Sequence, residues 1–502
     1  KIMSTQSTTH SSGRQHQLAY TQETIKQVNN HTKMMAYKSG DVTNAVVLEV
    51  GRHTAKLGYA GEDSPRAFFQ TVAALPKQSD DDDDNIDDSN NNKKNNNNSS
   101  VSTKKDDTSP KNSKLKTRFE PLQDAVDPSK DDLYQLKHAV NSNGLVEDWD
   151  LWLQTVRHAY GRFTNTTKAN DSSDFFSDEL ELSPLIMVEK PHNTPQIREK
   201  TTEMLFESSH IPAVFLAKDA VLSCYACGRT TGIVADVGDC TLVSPVYEGW
   251  VETKGLLRGV GVQCIQQKML QVLHSLTNKE FFSAYKENRS AEFRELALTQ
   301  MATRCLEHLS PHSVAEYGYV ANNFKHIPKL PYHLPDGTEI QFGNERFEFG
   351  ELLLGEDAGN SKMREEFGAS ANFGNTCKYN DPSASASSIE FFSGAVQNMI
   401  CESAFRCDRE QQAQLLGNVV ISGGGACVEG IVDRVRAEVE AIIHTHTPGW
   451  RVKVLSPPIT ERAYCAWLGG SILGSLGSFS EMYISRQEYQ EYGSNIVHRK
   501  CP

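Results

Sequence analysis

Three apolar runs that each end in glycine are the clearest feature in the pattern of hydrophobic and polar positions along the chain. They cover residues 45–50 before Gly51, 232–237 before Gly238 and 418–422 before Gly423. Unbroken runs of β-branched and aliphatic residues are typical of strands that are buried on both faces. We therefore predict three buried strands, each ending in a tight glycine turn where the backbone can approach a ligand.

A carboxylate stands two residues before the glycine in the first two runs, at Glu49 and Asp236. On facing hairpins, glycine N–H groups can bind a phosphate while the carboxylates hold its divalent cation through water. The alternative is that the runs are ordinary buried strands with no ligand at their ends. The repetition of the pattern favours the phosphate site.

Between the strands, apolar residues recur at helical spacing. Helix-like segments lie at residues 149–160, 194–208, 219–227, 389–405 and 430–443. Gly228 directly follows the third segment and is suited to a left-handed cap. Strands, hairpins and helices in alternation predict two α/β lobes, with a nucleotide in the cleft between the phosphate hairpins.

Polar stretches interrupt this pattern. Residues 1–41 and 78–113 cannot bury enough apolar surface to offset their ordering entropy, so we predict a disordered tail and a disordered inserted loop. Smaller polar insertions cover residues 164–174 and 369–388. The five consecutive aspartates in the inserted loop are typical of a solvated segment, with a histone-binding acidic patch as the alternative. The sequence leaves open whether residues 1–34 belong to the natural protein.

The composition restricts the class of protein. The 502 residues leave room for two or more domains. Lysine and arginine total 51 against 64 aspartates and glutamates, and the net charge of −13 argues against a general nucleic-acid binder. The eleven cysteines suggest no disulfide framework, and Cys224 and Cys227 lack a second pair at zinc-ligand spacing. With no apolar run of membrane-spanning length and no apolar leader, we expect a soluble protein of a reducing, intracellular compartment.

Five motifs, in the same order along the chain, resemble those of actin. They are residues 49–66 (EVGRHTAKLGYAGEDSPR), 228–234 (GRTTGIV), 247–249 (YEG), 422–424 (SGG) and 467–473 (WLGGSIL). The resemblance covers residues 42–502 apart from the polar insertions. Within the actin superfamily, four further segments are similar to nuclear actin-related proteins of class four. They are residues 143–149 (NGLVEDW), 185–194 (LIMVEKPHNT), 332–337 (YHLPDG) and 499–502 (RKCP).

The resemblance implies an α/β, actin-like ATPase fold of the hexokinase and heat-shock-chaperone type, with two lobes and four subdomains around a nucleotide cleft. An outer lobe would have a large subdomain (42–71, 139–226 and 465–502) and a small subdomain (72–138). An inner lobe would have a large subdomain (227–262 and 388–464) and a small subdomain (263–387).

The same resemblance implies ATP or ADP with Mg²⁺ as the ligand of the cleft. Nine residues match, by motif position, those that contact the nucleotide: Glu49, Gly51, Arg52, Lys56, Asp236, Gly238, Asp239, Gly423 and Gly424. Glu49 and Asp236 would hold the metal ion through water, and Lys56 would contact the phosphates.

Several positions depart from actin and argue against ATP hydrolysis. Arg52 replaces a serine that binds the terminal phosphate, and Asp219 replaces the glutamine that orients the attacking water. The position of the water-relay histidine falls on Leu242 or Val243, neither of which can transfer a proton. The replaced positions around the adenosine are Ala463, Thr303 and Arg304. We therefore expect nucleotide binding without efficient hydrolysis.

A second surface follows from the resemblance, since an apolar groove below the cleft of actin receives amphipathic helices from partners. Its residues here are Tyr225, Ala226, Thr230, Trp250, Leu468, Ile472, Leu473, Leu476 and Met482. In class-four proteins this groove would receive a long helix from the motor subunit of a chromatin remodeller. For Ile472 and Leu473 the alternative is an ordinary core position under the hinge.

The leading hypothesis is a non-catalytic scaffold subunit of nuclear chromatin-remodelling and histone acetyltransferase complexes. The expected partners are the motor-subunit helix, nuclear actin, other subunits of the complex and histones, with neither sequence-specific nucleic acid nor a membrane. Residues 78–113 replace the loop that joins actin subunits, so no homopolymer is expected. The alternatives are a divergent cytoskeletal actin that hydrolyses ATP and polymerises, and a sugar or acetate kinase on the same fold.

Overall fold

The computed structural model describes residues 45–77, 117–119, 128–163, 183–208, 211–277, 290–309, 314, 328–335, 337–355 and 389–502. The tail predicted at residues 1–41 and the insertions predicted at 78–113, 164–174 and 369–388 lie outside the described residues.

Short strands alternate with helices along the described chain. The strands, in chain order, are β1 (Val46–Val50), β2 (Thr54–Tyr59), β3 (Ala67–Gln70), β4 (Ala73–Pro76), β5 (Arg118–Phe119), β6 (Tyr134–Lys137), β7 (Leu185–Glu189), β8 (Ala213–Lys218), β9 (Gly232–Val237), β10 (Thr241–Tyr247), β11 (Trp250–Val251), β12 (Leu257–Gly259), β13 (Leu330–His333), β14 (Glu339–Phe342), β15 (Glu390–Phe391), β16 (Val419–Ser422), β17 (Val454–Leu455) and β18 (Ile484–Ser485).

The helices are numbered in the same way. They are α1 (Trp149–Phe163), α2 (Pro195–Glu207), α3 (Asp219–Ala226), α4 (Val262–Leu276), α5 (Ala291–Leu309), α6 (Glu345–Leu354), α7 (Val396–Arg406), α8 (Arg409–Leu416), α9 (Ile431–His446), α10 (Cys465–Gly474), α11 (Arg486–Tyr492) and α12 (Val497–Lys500). In the part of the chain that the structure describes, none of them is both long and apolar enough to cross a membrane.

Two large sheets form the centres of two lobes. The first has the order β18-β8-β7-β1-β2-β3, with β1 antiparallel to β2 and parallel to β7. The second has the order β15-β12-β10-β9-β16-β17, with β11 paired to β10. In this sheet β9 is antiparallel to β10 and parallel to β16. Each sheet lies in a separate apolar core, which includes Trp152 and Trp467 in the first lobe and Phe342 and Met399 in the second.

Two small sheets complete the described structure. Strands β4, β5 and β6 form one beside the first lobe, and β13 pairs with β14 in the other, beside the second lobe. This arrangement agrees in outline with four subdomains, whereas the subdomain boundaries given above stay predictions.

Helices α3 and α10 pack against each other where the two lobes meet. The contact depends on Gly469, because a Cβ there would overlap the backbone of Leu222. The indole Nε1 of Trp467 donates to the carbonyl oxygen of Val47 over 3.0 Å, which fixes α10 to strand β1 of the first sheet. The two helices therefore hold the strand ends of both sheets close to one cleft.

The predicted strands and most of the predicted helices are confirmed. All three glycine-terminated runs are strands, and the first two continue into antiparallel partners. Gly228 has a φ of +65°. Its N–H donates to Tyr225 and that of Arg229 to Cys224, so α3 ends in the paired hydrogen bonds of a Schellman cap.

The helix expected at residues 389–405 is wrong at its start. Phe391 pairs in register with Arg258, so this segment adds strand β15 to the second sheet. Gly394 follows, Ala395 is extended, and the helix begins only at Val396. The apolar residues before Gly394 resemble a helical face but complete a sheet edge, because a short run does not distinguish the two periods.

Candidate functional site

A cavity of about 1000 Å³ lies between the two lobes at the ends of β1, β9 and β16. All nine residues predicted to contact a nucleotide line this cavity. The size falls at the upper end of the range typical of small-molecule sites. The strand ends thus converge as expected, while the roles of the individual residues stay predictions.

The first hairpin neutralises its own carboxylate. Glu49 and Lys56 stand directly opposite each other on β1 and β2, and Lys56 Nζ lies 2.5 Å from Glu49 Oε1. Lys56 is only 5% exposed, and Glu49 Oε2 is buried without a hydrogen-bond partner. Because the two residues share one hairpin, local strand pairing is enough to form this ion pair.

The second hairpin receives its cation from the other lobe. Lys190 Nζ donates to Asp236 Oδ2 over 2.9 Å and to Asp219 Oδ2 over 2.7 Å. Lys190 directly follows β7, and Asp219 is the first residue of α3 after β8. Since β7 and β8 are parallel, with Glu189 opposite Lys218, these next residues emerge side by side at the carboxyl edge of the sheet.

The ionisation of this group follows from burial and from the lysine. Burial raises the pKa of Asp219 to about 6, although Lys190 acts against it. Burial also tends to raise the pKa of Asp236, but the charge and hydrogen bond of Lys190 outweigh it and hold that pKa below its usual value. Burial tends to lower the pKa of Lys190, and the two carboxylates raise it well above its usual value. At neutral pH the ammonium is therefore charged, with Asp236 ionised beside it.

A second polar contact joins the two hairpins across the cleft. Asp239 Oδ1 accepts from His53 Nε2 over 2.8 Å, and Asp239 Oδ2 lies 3.1 Å from Arg52 Nε. Arg52 Nε and Asp239 Oδ2 are close but are not aligned for a hydrogen bond, so both buried atoms lack a hydrogen-bond partner. Burial tends to raise the pKa of Asp239, but His53 and Arg52 hold it below its usual value. The carboxylate is therefore an internal anion beside the arginine.

His138 supports the turn of the first hairpin. Its Nδ1 lies 3.0 Å from the carbonyl oxygen of Arg52 and therefore carries the proton. Burial, and then the charge of Arg52, lower the pKa of His138 to about 4. The ring is neutral at physiological pH and fixes the backbone of the hairpin through one hydrogen bond.

The glycines at the end of β16 allow the third strand to approach the second hairpin. Gly423 has a φ of +95°, and a Cβ there would lie 2.5 Å from the Val237 carbonyl oxygen and 2.7 Å from Asp236 Oδ1. Its N–H donates to the carbonyl oxygen of Arg462 over 2.9 Å. A Cβ at Gly424 would meet nothing within 4 Å, so this residue leaves open space towards the cavity.

A sequence model of actin matches residues 40–502. The chain belongs to the actin family. Actin-related protein 4 of Arabidopsis thaliana is 33% identical to it over 92% of this chain and 99% of that protein. Actin-related protein 4 of Oryza sativa subsp. indica is 28% identical over the same shares of the two chains. The resemblance and the fold class predicted from the motifs are confirmed.

The nucleotide of the actin family fits this cavity better than a free divalent ion does. Lys56 and Arg52 line the cavity as cations, each beside one carboxylate, and Gly424 faces open space. By contrast, Glu49 and Asp236 already bind ammonium groups. No group of three or more candidate metal ligands occurs within the described residues. The water-mediated magnesium site at Glu49 and Asp236 thus stays a prediction.

Two of the expected phosphate-binding N–H groups serve the hairpins of this actin-family chain instead. The N–H of Gly51 donates to Thr54 over 2.9 Å, and the N–H of Gly238 donates to Cys240 over 3.3 Å. Both bonds close the turns after β1 and β9. The phosphate contacts of these turns would therefore come from other groups of the same loops.

At the adenosine end, this member of the actin family differs in part from the sequence expectation. Ala463 and Thr303 line the cavity, and Thr303 accepts from Gln266 over 2.9 Å. Arg304 is exposed and does not line it, whereas Glu307, one helical turn further along α5, does. Helical spacing from Thr303 was the available signal for Glu307, because residues four apart share a face.

Lys190, which lines the cavity and pairs with two carboxylates, was not among the predicted site residues. It lies within a segment that resembles class-four proteins, but the sequence assigned it no role. The signal that could have found it is the position of Lys190 and Asp219 directly after two strands, since the ends of parallel neighbours share an edge.

The predicted groove positions lie on α3 and just after it, on β11, on α10 and in the segment that follows α10. Its most exposed apolar residues are Trp250 (60%), Leu476 (50%), Met482 (43%) and Ile472 (41%). Tyr225, Leu468 and Leu473 are half-buried against the first core, while Ala226 is half-buried and Thr230 exposed. The choice between a groove position and a core position is therefore different for two neighbouring residues. Ile472 faces outwards, whereas Leu473 packs inwards.

Proposed function

We propose that this protein is a non-catalytic, nucleotide-binding scaffold subunit of nuclear chromatin-remodelling and histone acetyltransferase complexes. Support comes from its relatives, which are named Actin-related protein 4, and from two features of its own structure. These features are exposed apolar side chains at the predicted groove positions, and a cleft in which Asp219, at the position of the water-orienting residue, is hydrogen-bonded to Lys190.

The observation that carries the proposal is the exposure of large apolar side chains at the predicted groove positions. Four of the eight exposed large hydrophobic side chains in the described residues are Trp250, Ile472, Leu476 and Met482. Soluble monomers seldom expose apolar side chains in such a group unless a partner covers them. A helix with apolar residues at i, i+3, i+4 and i+7 would cover a groove of this kind. The occupant in this proposal is an amphipathic helix of a remodeller motor subunit.

The proposal includes three further kinds of partner, and no surface of this protein is assigned to them. They are nuclear actin, further subunits of the complex and histones. The protein would act in the nucleus as part of such an assembly and would form no homopolymer.

ATP or ADP would join the two lobes in this proposal. Lys56 and Arg52 would face its phosphates, and Gly423 and Gly424 would lie along the adenosine. The nucleotide would supply negative charge between the two hairpins when bound. The residues of the chain would orient it and exclude water from the phosphate end.

Slow or absent hydrolysis is part of the proposal. Asp219 stands where actin orients the attacking water, but it is buried and hydrogen-bonded to Lys190. Leu242 and Val243, at the proton-relay position, are buried apolar residues of β10. Without a group that accepts a proton along this path, general-base assistance is lost.

The groove can be tested with a matched pair of charged substitutions. Leu476→Asp places a carboxylate in the groove, and Leu133→Asp places one at a similarly exposed apolar position beside β6. Each tagged variant would be purified from nuclear extract, and its co-purifying remodeller and acetyltransferase subunits would be quantified. We expect Leu476→Asp to lose the motor subunit by about tenfold or more, and Leu133→Asp to retain it. Absence of these subunits from the unaltered protein would contradict the proposal.

The cleft is tested on the same material. Nucleotide released from the unaltered protein by denaturation should be ATP or ADP at close to one per chain. Single-turnover hydrolysis should be much slower than in conventional actin, and the protein should stay in the supernatant after incubation with salt and Mg²⁺. Pelleted filaments or fast hydrolysis would favour the divergent cytoskeletal actin instead.

A further inference from the structure

The cleft contains a cation, Lys190, that is held between carboxylates of both lobes. Lys190 Nζ is hydrogen-bonded to Asp219 of the first lobe and to Asp236 of the second. The side chain is 30% exposed, towards the cavity that it lines. The ammonium therefore touches both lobes at the place where a nucleotide's counterion would be needed.

The side chain of Lys190 is held in position along its whole length. A Cβ at Gly144 would lie 2.9 Å from Cγ and 3.0 Å from Cε of Lys190, so the glycine leaves the space that the aliphatic stem fills. Gly144 also has a φ of +80°, which favours glycine for a second reason. The stem thus packs against a residue that is suited to it, and only the ammonium reaches the carboxylates.

The local charges show what the lysine contributes. Three carboxylates face this part of the cavity, at Glu49, Asp219 and Asp236, and two ammonium groups bind them, at Lys56 and Lys190. Without Lys190, Lys56 alone would offset these three carboxylates, because Arg52 lies against a fourth carboxylate at Asp239, and a phosphate would add further negative charge. A divalent cation is the usual remedy for such an excess.

We propose that the ammonium of Lys190 is the built-in counterion of this cleft and takes the place of a divalent cation. As a consequence, which rests on the nucleotide binding proposed above, ATP binds to this chain with similar affinity with and without Mg²⁺. Lys190 acts here as a positioning residue for Asp219 and Asp236 across the two lobes.

The first experiment needs no nucleotide. Thermal unfolding of the full chain would be followed in EDTA and in Mg²⁺ for the unaltered protein, Lys190→Met, Lys190→Arg and the control Lys254→Met. Lys254 is an exposed lysine paired to Asp408 on the surface. We expect Mg²⁺ to raise the Tm of Lys190→Met by about 2 °C or more and to leave the other three unchanged.

The second experiment measures ATP affinity in the same two buffers. We expect the unaltered protein and Lys190→Arg to bind equally within about twofold. Lys190→Met should lose about tenfold in EDTA and regain it in Mg²⁺. A requirement of the unaltered protein for Mg²⁺ would overturn the inference and leave the proposed nucleotide binding intact, even if the methionine variant fails to fold.

The opposite result is also distinguishable. If ATP binds in neither buffer, the nucleotide part of the proposed function fails. The unfolding data alone then decide whether Lys190 acts as the counterion. This assignment stands if Mg²⁺ stabilises only Lys190→Met, and it fails if Mg²⁺ stabilises the unaltered protein as strongly or has no effect on the variant.

Discussion

The hairpins β1–β2 and β9–β10 have nearly the same sequence pattern, but the lysines that neutralise their carboxylates come from different places. Both place a carboxylate two residues before a glycine, Glu49 in β1 and Asp236 in β9. Glu49 is neutralised by Lys56 on the same hairpin, whereas Asp236 is neutralised by Lys190 from the other lobe. The first hairpin is therefore electrostatically complete by itself, and the second is complete only when the lobes are together.

This difference shows how one inherited pattern can serve two purposes. A carboxylate with a local partner stabilises its own hairpin. A carboxylate whose partner lies on the other lobe links the two lobes, and the contact of Arg52 with Asp239 adds a second link in the same region. Such links favour one relative position of the two lobes.

The largest expected effect concerns the strand that fixes the second hairpin. Gly423→Ala would place a Cβ against Val237 and Asp236 and would force alanine into a φ of +95°. Backbone strain and overlap together should lower the free energy of unfolding by about 4 kcal/mol. Gly424→Ala is the control, because its Cβ would meet no atom within 4 Å and should change stability by less than about 0.5 kcal/mol. Equal losses in chemical denaturation would show that the close approach is not required.

Local features were predictable from the sequence because they depend on neighbouring residues. The three strands follow from runs of β-branched residues, and the Gly228 cap follows from a glycine after an apolar helix. The pairing of Glu49 with Lys56 is also local, since a hairpin turn at 51–53 sets the register, but the sequence patterns assigned these residues to a metal ion and to phosphates instead. Such features need no knowledge of the rest of the fold.

The bridge made by Lys190 was not predictable in the same way. It depends on the parallel alignment of β7 with β8 and on the distance between two sheets that separate parts of the chain form. The groove shows the same limit, because the positions came from family resemblance alone. Whether Ile472 or Leu473 faces outwards depends on how α10 packs on α3, and one step along a helix turns a side chain by about 100°.

A smaller effect compares the two ion pairs directly. Lys56→Met should lower the free energy of unfolding by about 3 kcal/mol, because it leaves a carboxylate uncompensated beside a buried site. Lys190→Met should cost about 1 kcal/mol in EDTA, because the side chain of Lys190 is 30% exposed and water from the cavity can hydrate the two carboxylates that it leaves. Denaturant titration of both variants would measure the difference.

The matching double variant is the check on this comparison. Glu49→Gln together with Lys56→Met removes both charges of the first hairpin and should recover part of the loss. If Lys190→Met proves the more destabilising of the two single variants, the second hairpin carries the more important pair and the comparison is reversed.

The smallest expected effect uses His192, two residues after Lys190, to test the electrostatics of the second hairpin. His192 Nε2 lies 2.9 Å from the carbonyl oxygen of Asn143 and carries the proton, which leaves Nδ1 buried without a partner. Burial, and then the charge of Lys190, lower the pKa of His192 to about 4.

The direction of the pH effect follows from this lowered pKa. The unfolded chain takes up a proton near pH 6.5 and the folded chain only near pH 4, so stability is lost as the pH falls between these values. Because the ring keeps some exposure, His192→Asn should recover only about 1 kcal/mol of that loss at pH 4. His444→Asn, at an exposed position of α9, is the control substitution.

Combining the two variants shows whether Lys190 contributes to this shift. With Lys190→Met in the background, the pKa of His192 should rise because one of its two main causes is gone. The pH-dependent loss that His192→Asn removes should then become smaller. Unfolding curves between pH 4 and pH 7 for the four combinations would measure it. An unchanged loss would mean that burial alone sets the pKa of His192 and that the charge of Lys190 acts only on Asp219 and Asp236.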